Sequence, residues 1–353
     1  MCGSFLIVPD FIRRTLFAQY RGRVFLILEN SISRRFLILN DGRPSKGPSS
    51  VTANLRTMLI RARIRHKVLS VNDFNSEANH SRIMSRNTLD SDIIFIPVWT
   101  GQIGPLFEII DRNLRAKILL GPNLNFLLRE NGDFSHDLCY FIGSRLHANV
   151  NVIVPHEKIA RMFIESAKMC NSSHSFIRVL PTGVDEKYWK PAKIRGNKIL
   201  IYIKGNLSNV DQDSINEVKQ RFNDRCVTIQ YGKYSQAEYR KMLQRAKIAI
   251  FFGGSESQGL AILEAWSCNV PTLIRIPIAN SSSLPNESTY GQHCMDYAPY
   301  LNQKTGAFFT NKIELLALLY SLENSELKFN PRLWAMENFG MKKFKIDIFS
   351  SSI

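Results

Sequence analysis

Two carboxylates with seven residues between them, Glu256 and Glu264, bracket a turn and the start of an apolar segment in FFGGSESQGLAILEAW, residues 251–266. Leu260, Ile262, Leu263, Ala265 and Trp266 surround Glu264, and a helix apolar on all sides is a buried one. A buried carboxylate without partners is costly. Glu264 must therefore be met either by structural donors or by ligand hydroxyls, which a carboxylate can accept two at a time. The first N–H groups of a helix beginning near Gly259 have no partner within it, and with the helix dipole they favour a phosphate. Gly259 would let a diphosphate approach the backbone closely. Glu256 stands on the far side of that position. One helix start flanked by two carboxylates suits a ligand with a diphosphate in the middle and hydroxyl-rich groups at both ends, the shape of a nucleotide sugar.

The elements that must position these groups follow an alternating pattern. RRFLILND reads as a buried parallel strand, GRPSKGPSS as a loop, and SSVTANLRTMLIRARI as a helix capped by Ser49 or Ser50. HKVLSVND, SDIIFIPVW, AKILLGPN and NVNVIVP read as further strands. After the turn-rich RVLPTGVDEKYWKP a second series begins: strand NKILIYIKG, helix DSINEVKQRF, strand CVTIQYG, helix SQAEYRKMLQRA, strand KIAIFF, helix LAILEAW and strand VPTLIRI. Strands alternating with helices imply crossover units and a parallel sheet. At about 150 residues per domain, 353 residues suggest two domains. The division expected is a basic N-terminal extension at 1–33, a first domain at 34–180, a second at 181–328 and a helical tail at 329–353. Two such units place two carboxyl-end crevices face to face, so the site is expected in the cleft between them.

Other motifs are weaker. GRPSKGPS has Gly42 and Gly47 at P-loop spacing, but Pro48 follows the second glycine where Lys-Ser or Lys-Thr is required. Asp90 and Asp92 in DSD, and Asp211 and Asp213 in DQD, match a short metal–nucleotide pattern. The turn and capping reading is preferred for both, with Asp213 as a helix cap. His136, His147 and His156 read as surface or core histidines. The six cysteines include no CxxC pair, which argues against a zinc or redox motif and for a reduced, cytoplasmic setting. No apolar run approaches the roughly 20 residues of a membrane span, and the first residues do not make a good signal peptide.

The formal net charge is +16, unevenly spread: residues 11–67 hold thirteen Arg and Lys against Glu29 and Asp41. Such a zone favours a polyanion: an acidic membrane face, a phosphorylated substrate or nucleic acid. The plainer reading is a solvated basic surface.

SESQGLAILEAWSCNVPTLI, with its Glu-x7-Glu, resembles the signature of retaining glycosyltransferases of the GT-B fold. LPTGVDEKYWKP resembles their inter-domain element, and APYLNQKTGAFF the loop after the last strands of their donor domain. The three occur in the family's order over roughly residues 34–340. The resemblance implies two Rossmann-like doubly wound α/β domains facing across a cleft. It implies transfer of a sugar from a nucleoside-diphosphate sugar to a glycan, lipid-linked or other acceptor, with no metal and no cofactor. Glu264 would bind the ribose hydroxyls, Glu256 the transferred sugar, and the N–H groups near Gly259, Leu260 and Ala261 the diphosphate, with Ser257 and Gln258 beside them. Lys204 would neutralise the leaving diphosphate, and Tyr231, Gly232, Lys233 and Tyr234 would meet the base. Gly47 would lie near the sugar. Where the family often has a histidine, this chain has GPNLN, with Asn123 standing in or the role absent. The family usually carries an Arg and a Lys at the phosphate; here only Lys204 is evident. The expected partners are the donor, a glycan or lipid-linked acceptor, and an anionic membrane surface on the cytoplasmic face, without nucleic acid. Three other readings remain: a catalytically inactive nucleotide-sugar-binding protein of the same fold, a nucleotide-sugar epimerase, and a metal-dependent glycosyltransferase using an Asp-x-Asp site.

Overall fold

The computed structural model describes residues 35–40, 46–70, 91–98, 103–113, 115–123, 149–169, 176–194, 196–254, 256, 258–277 and 297–351. The N-terminal extension, Ser257, Asp90, His136 and His147 lie outside these residues.

Six parallel strands make the first sheet: β1 (Phe36–Asn40), β2 (His66–Ser70), β3 (Ile93–Val98), β4 (Lys117–Asn123), β5 (Val150–Val154) and β6 (Ile177–Val179), in the order β2-β1-β3-β4-β5-β6. Helices α1 (Lys46–Arg61), α2 (Ile103–Arg112) and α3 (Glu157–Met169) flank it. Five more strands make the second: β7 (Lys198–Lys204), β8 (Cys226–Gln230), β9 (Ala246–Gly253), β10 (Thr272–Arg275) and β11 (Gly306–Phe309), in the order β11-β10-β9-β7-β8. Its helices are α4 (Asn209–Phe222), α5 (Gln236–Arg245), α6 (Leu260–Ser267) and α7 (Lys312–Glu323), and the chain ends in α8 (Pro331–Phe339) and α9 (Met341–Ser351). Both sheets are covered on two faces, which is why their strands are continuous apolar runs.

The expected fold class holds: two doubly wound α/β units. Their details differ from the sequence reading in four places. Ile177–Val179, at the entry to the turn-rich segment, forms β6, a strand of three residues too short to show a period. The last four residues of APYLNQKTGAFF form β11 rather than loop. Helix α1 starts at Lys46, not after Ser49 or Ser50, so Gly47 and Pro48 lie in its first turn; proline is tolerated there because that N–H has no helical partner. Helix α4 is capped by Ser208, not Asp213: Ser208 and Asp211 exchange side-chain and backbone hydrogen bonds in a capping box.

The last helix returns to the first domain. Phe344, Ile348 and Phe349 of α9 pack with Val51, Leu55 and Met58 of α1 against Phe36, Ile38, Phe95 and Ile153 of the first sheet. Helix α8 stays on the second domain, with Trp334 edge-on to Trp266 at 5.4 Å.

In the second sheet the strand order reverses between β7 and β9. A crevice opens at the carboxyl ends of such a pair, where Lys204 stands in register with Gly253. Gly253 has φ +122°, and a Cβ there would lie 1.6 Å from the Lys204 carbonyl oxygen. Only glycine lets β9 leave the sheet so close to β7. Gly253→Ala is therefore expected to cost about 2–4 kcal/mol, read as a drop in the urea midpoint with the m-value unchanged.

Candidate active site

A cavity of about 570 Å³ lies between the two domains. The second domain lines it with Tyr202 and Lys204 from β7, Tyr231 and Tyr234 from the turn after β8, Glu256, and Gly259, Leu260, Ala261 and Glu264 at the start of α6. The first domain contributes Ser50, Val51 and Ala53 from α1, with Pro122 and Pro155 at the ends of β4 and β5. All of these are carboxyl-end positions of strands or the beginnings of the helices that follow them.

Gly259 is the N-cap of α6 in the left-handed conformation, φ 73° and ψ 51°. The N–H groups of Ile262 and Leu263 turn back to its carbonyl at 3.0 Å. Those of Leu260 and Ala261 have no acceptor among the described residues, which makes the helix start a place for an anion. Glu264, one turn on, is buried at 7% exposure. Among the described residues its carboxylate has no hydrogen-bond or ion-pair partner, and burial pushes it up to about 8. The sequence left structural donors and ligand hydroxyls open as its partners. No described donor reaches it, and it faces the cavity.

The folded state thus holds the Glu264 proton more tightly than the unfolded chain. The stability linked to it is intact below the ordinary carboxylate value of 4.5 and is lost as pH rises through about 8. Glu264→Gln should remove this component. Urea midpoints at pH 5 and pH 8.5 are expected to show wild type losing more stability than the variant over that interval.

Lys204 Nζ lies 2.8 Å from Glu256 Oε1 and 5.7 Å from the Tyr231 ring centre. Burial raises Glu256, and the adjacent ammonium of Lys204 opposes that shift. The cation that the sequence reading assigned to the diphosphate and the carboxylate that it assigned to the transferred sugar are thus in direct contact.

The remaining expected residues divide. Tyr234 lines the cavity, and its hydroxyl is 2.8 Å from that of Tyr202. Gly232 and Lys233 sit on the exposed turn beside it and do not line the cavity. Gln258 borders the cavity, but its amide is committed elsewhere: it accepts from Thr182 N at 3.1 Å and donates to Thr182 O at 2.8 Å. It ties the α6 loop to the inter-domain segment. Gly47 is in the first turn of α1, three residues before Ser50. Asn123 ends β4, one residue past Pro122.

Three contributors escaped sequence reading. Tyr239 packs on Tyr202 and donates from its hydroxyl to Ala261 O at 2.8 Å, which braces the phosphate-facing turn of α6. Tyr202 carried a signal: one hydroxyl in an otherwise aliphatic strand, two residues before Lys204 and so on the same face. Gln236 reaches across the cleft to donate to Ser50 Oγ at 3.1 Å, a pairing 186 residues apart that no local pattern marks.

One member of each acidic pair, Asp92 and Asp211, has structural partners. Asp211 completes the capping box that Ser208 opens on α4 and pairs with buried Arg275 at 2.7 Å, while Asp92 accepts from Arg35 N at 2.7 Å. His156 is buried, and its Nδ1 accepts from Lys158 N at 3.1 Å. Among the described residues no group of three or more His, Cys, Asp or Glu is gathered as a metal would require, and no helix is long and apolar enough to cross a membrane.

No protein-family model matches the chain, and no curated protein matches it by sequence. Solved structures do match. Anabaena Alr3699/HepE in complex with UDP-glucose aligns at a TM-score of 0.55 and 12% identity, covering 90% of this chain and 99% of that one. Sucrose-phosphate synthase from Thermosynechococcus elongatus gives a TM-score of 0.55 at 11% identity, covering 90% and 98%. The lipopolysaccharide outer core galactosyltransferase WaaB, in its apo form, gives 0.51 at 11% identity, also covering 90% and 98%. With two all-parallel sheets, an inter-domain cleft and these structural neighbours, the chain has the two-domain Rossmann-like GT-B fold of glycosyltransferases.

Proposed function

We propose that the protein is a glycosyltransferase that takes a nucleoside-diphosphate sugar into the inter-domain cleft and transfers the sugar to an acceptor entering from the first domain. The observation that carries this reading is Glu264, a buried carboxylate without a described partner, set one turn behind a helix start whose first N–H groups have no described acceptor, in a cavity that Lys204 also lines. The carboxylate takes the two ribose hydroxyls. The N–H groups of Leu260 and Ala261 take the diphosphate. Lys204 exchanges Glu256 for the phosphate when the donor binds, and stabilises the negative charge that grows on the leaving group as the sugar–oxygen bond breaks. Glu256, released, accepts from hydroxyls of the transferred sugar. Tyr231 and Tyr234 border the base. UDP-glucose in the HepE structure supports a uridine nucleotide as the first donor to try.

Transfer with retention at the anomeric carbon and without a metal follows the Glu-x7-Glu resemblance. The exposed cations Arg56, Arg63, Arg65 and Lys67 support an anionic or lipid-linked acceptor and peripheral contact with an anionic cytoplasmic membrane face. The test is turnover of UDP-sugars by wild type and Glu256→Ala, in buffer and in chelator, with product anomers assigned by NMR. Wild type is expected to turn over with retention in chelator, and the variant to fall at least about 10²-fold. Equal background rates from both would favour a second reading, a nucleotide-sugar-binding protein without catalysis, whose motive is that Lys204 is the single cation among the described residues of the cavity lining.

A further inference from the structure

The two chain crossings between the domains run side by side. The first, 180–184, leaves β6, and the second, 339–341, joins α8 to α9. Val184 N donates to Phe339 O at 2.8 Å, Val184 and Gly340 form a parallel bridge, and a Cβ on Gly183 would stand 2.5 Å from Phe344 Cβ. Beside this seam opens a second cavity of about 430 Å³ that shares no lining residue with the cleft. Its size falls in the roughly 300–1,000 Å³ range of small-molecule sites.

The lining is chemically mixed. Pro181, Tyr300, Trp334 and Phe339 supply an apolar, mostly aromatic wall, with Phe339 ring centres 4.7 Å from Tyr300 and 5.3 Å from Trp334. Arg178 and Lys343 supply positive charge. Lys343 is paired with Asp347. The Arg178 guanidinium has no hydrogen-bond or ion-pair partner among the described residues, and Trp334 Nε1 has no acceptor among them. An aromatic wall accepts the C–H face of a sugar ring, while a guanidinium fork binds phosphate or carboxylate oxygens two at a time.

We propose that this hinge cavity binds a small anionic saccharide, a single sugar carrying a phosphate or carboxylate, and that its occupancy alters nucleotide affinity in the cleft. The site joins parts that change their relation whenever the domain angle changes. Arg178 belongs to β6 of the first sheet, Trp334 to a helix packed on the second domain, and Lys343 to the helix that returns to the first. The same seam is wired to the cleft: Thr182, next to Pro181, holds Gln258, and the Tyr300 hydroxyl donates to the carbonyl of Pro155. A ligand that bridges these parts favours one domain arrangement, and whatever it does to the cleft the cleft must do to it.

The anion site stands apart from the cleft reading, its coupling to nucleotide affinity rests on that reading, and the experiment keeps the two apart. Glucose 1-phosphate, glucuronate and neutral glucose are titrated calorimetrically into the full chain, alone and with saturating UDP. At least one anion is expected to bind with UDP present. Arg178→Ala should weaken it at least tenfold, Arg178→Lys should lie between, and glucose should give no heat. The bound anion should shift the UDP dissociation constant by about fivefold or more. Displacement of the anion by UDP would place it in the cleft and overturn the proposal. So would affinity unchanged by Arg178→Ala in a variant that melts like wild type, equal binding of glucose, or no binding of either anion. If UDP itself fails to bind, the cleft reading falls while the anion titration still decides the hinge site.

Discussion

Lys204→Ala should lower kcat for sugar transfer by about 10²–10³ while leaving nucleoside diphosphate affinity much less changed. The asymmetry follows from where the cation sits. Lys204 ends β7 at the switch point of the second sheet, and its ammonium meets Glu256 at 2.8 Å. In the ground state the diphosphate must displace that carboxylate, so part of the attraction is spent on breaking an existing pair. As the bond to the sugar breaks, charge accumulates on the phosphate, and the fixed ammonium is worth more there than to the bound donor. Among the described residues Lys204 is the one cation that lines the cavity, so no described neighbour there substitutes for it. The check is kcat by product assay set against Kd by calorimetry for wild type, Lys204→Arg and Lys204→Ala. Arginine should recover part of the rate. A loss confined to Kd would mean that Lys204 only binds the donor.

Glu264→Ala should weaken nucleoside diphosphate binding by at least about 10²-fold. Hydrogen bonds to a charged group contribute about 1.5–3 kcal/mol each, so two sum to about 3 kcal/mol or more, and each 1.4 kcal/mol is tenfold in Kd. The same substitution relieves the empty protein of a buried carboxyl that has no described partner, so the fold should not suffer above pH 8, where wild type carries the full penalty. Loss of binding with retained or improved stability is the signature of a side chain placed for a ligand. A core residue would lose both. Calorimetric titration with UDP and a urea melt on the same sample distinguish them.

Much of this was legible in the sequence because the strands are buried on both faces. FLILN, IIFIPV and ILIYI read as strands without any alternation to interpret, and Ser235 with Glu238 marks the start of α5 in the letters themselves. Gly259, Glu264, Glu256 and Lys204 were visible because each breaks a local rule: a glycine before a helix, charges beside apolar runs. What escaped was set by distance. The Tyr202–Tyr234–Tyr239 cluster joins β7, a turn and α5. The Gln236–Ser50 bond spans the cleft. The return of α9 to the first sheet depends on contacts some 300 residues apart in sequence. Gln258 shows the converse failure. It lies between the two glutamates and looks like a donor ligand, yet its amide is spent on Thr182; spacing places a residue without saying where its polar atoms are already engaged.

The central claim is that Glu264 meets ribose hydroxyls. Its most direct test is a calorimetric cycle of UDP and 2′,3′-dideoxy-UDP against wild type and Glu264→Gln. The account predicts that removing the hydroxyls weakens binding to wild type by about 50-fold or more and to the variant by only a few-fold, a coupling of about 1.5 kcal/mol or more. Equal affinity of wild type for the two nucleotides, or the same loss in both proteins, would contradict it.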